Sequence, residues 1–276
     1  MEKITTLDFF INALNFVKSF KKKSVTNYYF NSAKSEALIS KEELFAIRIG
    51  EVVFVLKQNE LYLNLYYYAS DLTELGKSLE KLISIYPNMT IIVDIITTEI
   101  DSDILKVFYF NEFNVYTSLV RMNRISNSVL KIEEVTDQHL KIANQEESLE
   151  VFNQLNTFFD SKAEQLPTQD EVILWSNNGN ILVYKVENQV AGFIIYQLIG
   201  VTLYLRYWFV SPLFRERKLG SKLFNYFLLR GRNSKRQLFW VIQTNENAIV
   251  RYEHFGFKAE KMYNFVLTNK NIKYEG

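Results

Sequence analysis

The sequence predicts an α/β protein of the α+β type, arranged as two tandem domains, each a mixed, mostly antiparallel sheet flanked by helices. Three observations predict it. The chain has 276 residues, whereas a single core commonly serves roughly 100–150. Short runs of β-branched and aromatic residues alternate with stretches of helical spacing, in the same order in both halves. Related residues also recur at one offset: Gly76 and Gly220, Leu79 and Leu223, Phe108 and Tyr252, and Phe113 and Phe257 each lie 144 apart.

In the first half, residues 7–23 carry apolar positions at helical spacing, and 45–49, 52–56 and 61–68 read as strands. Residues 71–86 read as a helix that Pro87-Asn88 breaks, 90–97 as a nearly all-apolar strand, 103–110 as a helix and 115–122 as a strand. Polar residues 123–128 mark a linker, and a strand over 130–135 opens the second half. Helices follow over 148–160 and 169–176, then strands over 181–186, 192–198 and 203–210, the first of these turning at Glu187-Asn188-Gln189. A helix over 220–229, a strand over 237–243, a helix over 247–254 and a strand over 262–267 complete the pattern. The words Lys106-Val-Phe-Tyr-Phe-Asn-Glu-Phe113 and Val250-Arg-Tyr-Glu-His-Phe-Gly-Phe257 align on the shared offset. This reads as a degenerate duplication, with domains at 1–125 and 130–276.

Composition narrows the function. Apolar residues make up 48% and aromatic residues 15%, enough for two packed cores. A net charge of +1 argues against a nucleic-acid surface. The chain has no cysteine, which excludes disulfides, a thiol nucleophile and thiolate metal sites, and its two histidines, His139 and His254, lack metal-binding spacing. No metal is expected. The lysine run 21–23 reads as a solvated helix end, and no segment holds the ~18 uninterrupted apolar residues of a membrane span. A cytoplasmic protein without membrane partners is the expectation.

The segment Val210-Ser-Pro-Leu-Phe-Arg-Glu-Arg-Lys-Leu-Gly-Ser221 stands between a strand and a helix. A helix N-terminus there offers unpaired N–H groups and a positive dipole end, which suits a pyrophosphate. Gly220 admits close approach, Arg215, Arg217 and Lys218 add positive charge, and Ser221 offers a hydroxyl. The segment resembles the acyl-CoA-binding motif of the GCN5-related N-acetyltransferase superfamily: Arg215 and Gly220 match, while Lys218 stands where the first glycine is usual. A second match runs from Asn245 through Tyr252 to Gly256-Phe257.

The resemblance implies an acetyl-CoA-dependent N-acyltransferase over residues 130–276, transferring the acyl group to a primary amine by direct attack. It assigns Tyr252 as the acid that protonates the leaving thiolate, and the hydroxyl's ordinary pKa near 10 suits that role. It assigns the cosubstrate, acetyl-CoA or another acyl-CoA, to Phe209, Val210, Arg215, Glu216, Arg217, Lys218, Leu219, Gly220, Ser221, Asn245 and Tyr252, with the N–H of Phe209 or Val210 as oxyanion donor. Many members carry a glutamate on the strand before the motif, yet 201–210 has no Asp or Glu. The base is then a water chain, a backbone carbonyl, or a residue such as Glu164, Asp170 or Glu171. His254 and the three tryptophans read as surface or packing residues. The first half keeps the pattern and loses the ligands, with Asp71 in the place of Arg215 and Phe108 in that of Tyr252. The expected partner is a small-molecule or peptide amine; a homodimer is compatible with this reading. The alternative is a non-catalytic acyl-CoA-binding or scaffolding protein.

Overall fold

The apolar runs form the strands of the structure. The structure, a computed structural model, describes residues 1–125, 137–215 and 217–274. It divides into two units: Met1–Leu119 with Lys261–Gly276, and Val120–Glu260.

The first unit contains β1 (Glu2–Lys3), α1 (Asp8–Lys18), β2 (Val25–Thr26), α2 (Ser32–Ser40), β3 (Leu44–Ile49), β4 (Val52–Gln58), β5 (Leu63–Ala69), α3 (Leu72–Ile85), β6 (Ile91–Thr97), α4 (Asp103–Phe110) and the start of β7 (Asn114–Ile125). The second unit holds the end of β7, then β8 (Leu140–Ile142), α5 (Gln145–Phe158), α6 (Ser161–Glu164), α7 (Gln169–Asn177), β9 (Ile181–Val186), β10 (Gln189–Ile199), β11 (Thr202–Val210), α8 (Leu219–Arg230), β12 (Arg236–Ile242) and α9 (Glu246–His254). The last strand, β13 (Lys258–Thr268), leaves the second unit and ends in the first.

Strand order is β1-β3-β4-β5-β6-β13-β7 in the first unit, with β2 beside β5, and β7-β12-β11-β10-β9-β8 in the second. In each unit a parallel pair, β5·β6 or β11·β12, is set among antiparallel neighbours. The first core gathers Phe54, Leu65, Leu75, Leu79, Val93 and Phe108. In the second, Val151, Leu155 and Val172 from α5 and α7 cover one face of the sheet at Phe193, Tyr207 and Phe209.

The recurrence at 144 residues extends to backbone geometry. After α4, the N–H of Phe113 bonds the carbonyl of Phe108 (3.1 Å) and Glu112 takes the left-handed conformation (φ 62). After α9, the N–H of Phe257 bonds the carbonyl of Tyr252 (3.1 Å), and Gly256 is left-handed (φ 82). Both helices thus end in the same αL stop. The paired rings follow: Phe108 meets Phe113 edge-on at 5.2 Å, and Tyr252 meets Phe257 edge-on at 6.5 Å.

Several expectations need correction. The helix expected over 7–23 stops at Lys18, and Lys21 (φ 56) turns the chain away into β2. The short α2 was not predicted, because its nine residues bury only Ser35 and Leu38 and carry no apolar stripe. Residues 123–125 belong to β7 and not to a linker, while the strand expected over 130–135 lies outside the described residues. The division at 125/130 also differs from the contacts. Tyr263–Thr268 pair antiparallel with β6, Phe265 and Leu267 lie in the first core, and the Asn264 amide donates to the Asp94 carboxylate (2.7 Å). The residues after Lys261 therefore complete the first unit's sheet.

Candidate active site

The site begins where two strands part. β11 and β12 pair only at Thr202–Tyr204 with Arg236–Leu238. Beyond Tyr204 the pairing on the other side slips by one residue, from Tyr196↔Leu205 to Ile195↔Tyr207, so Arg206 is a bulge. The N–H of Ser211 bonds the carbonyl of Ala191 in β10 (2.9 Å). By alternation, the N–H of Phe209 also turns to β10, whereas those of Trp208 and Val210 turn to the open edge. Of the two expected oxyanion donors, Val210 is therefore the one facing the opening; Phe209 instead contributes its ring, stacked on Phe158 at 4.8 Å.

At the far end of this edge, a turn over Pro212–Phe214 leads through Arg215 and Arg217 into α8. Arg215, Arg217, Lys218 and Ser221 are exposed, and the Arg217 guanidinium lies over the Phe214 ring. Glu216, also expected to contact the cosubstrate, lies outside the described residues. Lys218 is the N-cap of α8, in the left-handed region (φ 57), and no side chain caps this helix end among the described residues. The conformation a glycine would supply is thus kept by lysine. Leu219 is buried and anchors the first turn. Gly220 is closely packed: a β-carbon there would stand 3.1 Å from the indole Cζ2 of Trp208. The indole Nε1 of Trp208 is buried without a hydrogen-bond partner among the described residues.

The second motif lies on α9. Asn245 caps this helix, its Oδ1 accepting from the N–H of Ala248 (3.1 Å). Tyr252 sits in an aromatic cluster with Trp208, Phe224 and Phe239, at ring distances of 5.6, 5.7 and 4.2 Å. Its ring is buried, but its hydroxyl makes no hydrogen bond among the described residues. Burial, and then the negative charge of Glu164, push this hydroxyl well above its ordinary pKa, so it holds its proton at neutral pH.

Glu164 ends α6 on the opposite face of β11. The Tyr207 hydroxyl, anchored in the core formed with α5 and α7, donates to the Glu164 carbonyl (3.2 Å), and Gln165 then turns left-handed (φ 42). Burial, and then the charge of Asp160, push the Glu164 carboxyl up to about 7. Asp170 is exposed, and Glu171 is tied into the α7 capping box, accepting from the N–H of Thr168 (2.8 Å). Glu164, one of the three acids named from sequence, carries the raised carboxyl expected of a proton-transfer group. The bulge at Arg206 was not predicted, since nothing in residues 201–210 distinguishes it from regular strand.

Among the described residues no cluster of three or more His, Cys, Asp or Glu could hold a metal ion, and no helix is long and apolar enough to cross a membrane. The acetyltransferase (GNAT) family matches residues 149–257. No functionally curated protein matches the chain. In fold, the chain is similar to GCN5-related N-acetyltransferases from Sphaerobacter thermophilus (TM-score 0.56, 12% identity, 87% of each chain covered) and from Kribbella flavida (0.54, 12%, 86% of this chain and 93% of that one). It is also similar to a tandem GNAT protein from the clavulanic acid biosynthesis pathway (0.54, 9%, 80% of each chain covered). These likenesses extend over both units, at identities that speak for the fold alone. Residues 149–257 form a domain of the acetyltransferase (GNAT) family.

Proposed function

We propose that this chain transfers an acyl group, acetyl in the simplest case, from acyl-CoA to a primary amine, using the second unit alone. The observation that carries the reading is the opening beyond Tyr204, where β11 leaves β12 and an uncapped helix end closes one side. An extended thioester arm has backbone partners along the open edge, at Trp208 and Val210. Its pyrophosphate has the N-terminus of α8 with Arg215, Arg217 and Lys218 around it. The unpartnered Trp208 Nε1 is a further donor in the same opening.

In this reading Glu164 and Tyr252 divide the proton work, because Tyr207 ties one to the α5–α7 face of β11 while Trp208 and Phe224 hold the other against the α8 face. Glu164, about half ionised near neutrality, accepts a proton from the attacking ammonium or amine. Nitrogen bonds to the thioester carbon, the carbonyl oxygen gains charge toward the Val210 N–H, and the carbon–sulfur bond breaks. Tyr252 then gives its proton to the departing thiolate, and the remaining proton shed by the new amide nitrogen restores the Tyr252 hydroxyl. Direct attack needs both substrates present together.

We also read the first unit as a degenerate copy of the same fold and the chain as cytoplasmic, in keeping with the absence of cysteine. The test is calorimetric titration with acetyl-CoA, followed by thiol release on a panel of small amines and peptide N-termini. Binding with amine-dependent thiol release is expected; absence of binding by the intact chain would sink the reading.

A further inference from the structure

The first unit also has parallel strands that part. β5 and β6 pair only at Leu63↔Ile91 and Asn64↔Ile92. Backbone groups freed inside a sheet must find other partners, and here the chain supplies them itself. β2 lies antiparallel beside the end of β5, with Val25 opposite Ala69 and Thr26 opposite Tyr68. The Thr26 hydroxyl donates to the Tyr67 carbonyl (2.6 Å). The Asn27 carboxamide then spans the gap. Its oxygen accepts from the Tyr67 N–H (2.9 Å), and its nitrogen donates to the carbonyls of Leu65 in β5 (3.1 Å) and Asp94 in β6 (3.3 Å). Tyr28 fixes the segment from behind, stacked on Phe10 at 4.8 Å and bonded through its hydroxyl to Ser35 (2.7 Å).

The adjoining helix end is filled as well. The Asp71 carboxylate caps α3, accepting from the N–H of Glu74 (2.8 Å), and Lys22 pairs with it at 3.4 Å. On the 144-residue offset, the first turn of α3 also takes the place of residues 216–218, so the basic loop has no counterpart.

We infer that residues 25–28 are a resident occupant of the first unit: an amide in the strand opening, with the Asp71 carboxylate at the helix end, takes the positions that an amide-bearing, anionic acyl carrier takes in the second. This rests on the proposed function for the carrier's identity, and not for the occupancy itself. The consequence is a chain that holds one acyl carrier, with a first unit closed by its own residues rather than merely stripped of binding groups.

The experiment is hydrogen exchange on the full chain, with and without acetyl-CoA, beside a calorimetric titration of the unaltered protein. The expected result is one acetyl-CoA per chain, a Tyr67 amide that exchanges slowly whether or not acetyl-CoA is present, and Trp208 and Val210 amides that slow only when it is. In Asn27→Ala, and in Asn27→Ser should alanine fold poorly, the Tyr67 amide should exchange about tenfold faster or more. Two acetyl-CoA per chain, or a Tyr67 amide equally slow in both variants, overturns the inference. No binding by the unaltered chain, with Tyr67 slow in it and fast in the variants, instead removes the proposed function and leaves the occupant standing. The titration uses the unaltered protein, so it does not depend on any variant folding.

Discussion

Where β5 leaves β6, a carboxamide, a hydroxyl and a capping carboxylate from the same unit take up the freed backbone. Where β11 leaves β12, no segment pairs with the open edge among the described residues, and among them no side chain caps the following helix or partners the Trp208 N–H. One architecture thus appears once closed and once open. Losing a function in such a fold involves more than losing ligating residues, because the vacated edge still needs hydrogen bonds. The first unit supplies those bonds from within.

The contrast can be broken most directly at Tyr252, whose counterpart on the offset, Phe108, has no hydroxyl. Tyr252→Phe should lower kcat roughly 100- to 10,000-fold with acetyl-CoA affinity retained, as steady-state kinetics beside calorimetry would check. Next comes Glu164→Gln, expected to lower kcat/KM about 100-fold near neutral pH. The unaltered enzyme should gain activity as pH rises through about 7, and the variant should lose that limb. The stability sign follows from the same shift. The folded value lies above the ordinary 4.5, so the protein binds this proton more tightly when folded and loses stability as pH rises from about 4.5 to about 7. Melting curves of Glu164→Gln should be flatter across that window.

Smaller effects sharpen the comparison. Gly220→Ala forces a methyl group against the Trp208 indole and should cost about 1–3 kcal/mol in denaturant unfolding. The smallest changes are expected at the left-handed positions. Lys218→Gly in the open unit and Glu112→Gly in the closed one should each stabilise by about 1 kcal/mol, since both relieve a side chain held at positive φ. A stabilisation at Glu112 without one at Lys218 would show that the lysine conformation is held by contacts of its own.

Much of this was legible in the sequence. The α4 and α9 words, Phe108 to Phe113 and Tyr252 to Phe257, aligned because the αL stop and the paired rings depend on local spacing, which sequence displays. The motif 210–221 was readable for the same reason, as one strand, one turn and one helix start. What stayed hidden depends on residues distant in the chain. Glu164 could not be chosen over Asp170 or Glu171, because its perturbation comes from burial beside Tyr207 and Tyr252. Asn27 looks like any loop asparagine until β5 and β6 are seen to part around it. The destination of β13 was equally invisible, since its apolar run suits either sheet.

That last strand has a consequence for the order in which the protein is made. Emerging from the ribosome, the second unit has every described strand it uses once the start of β13, as far as Glu260, is out. The first unit, begun earlier, waits with β6 unpaired on one side until Tyr263–Thr268 arrive. The half synthesised first is therefore the half finished last, and a stop codon near residue 260 would injure the N-terminal unit while leaving the second one nearly whole. Chaperone dependence and protease sensitivity of nascent chains should accordingly centre on the exposed edge of β6.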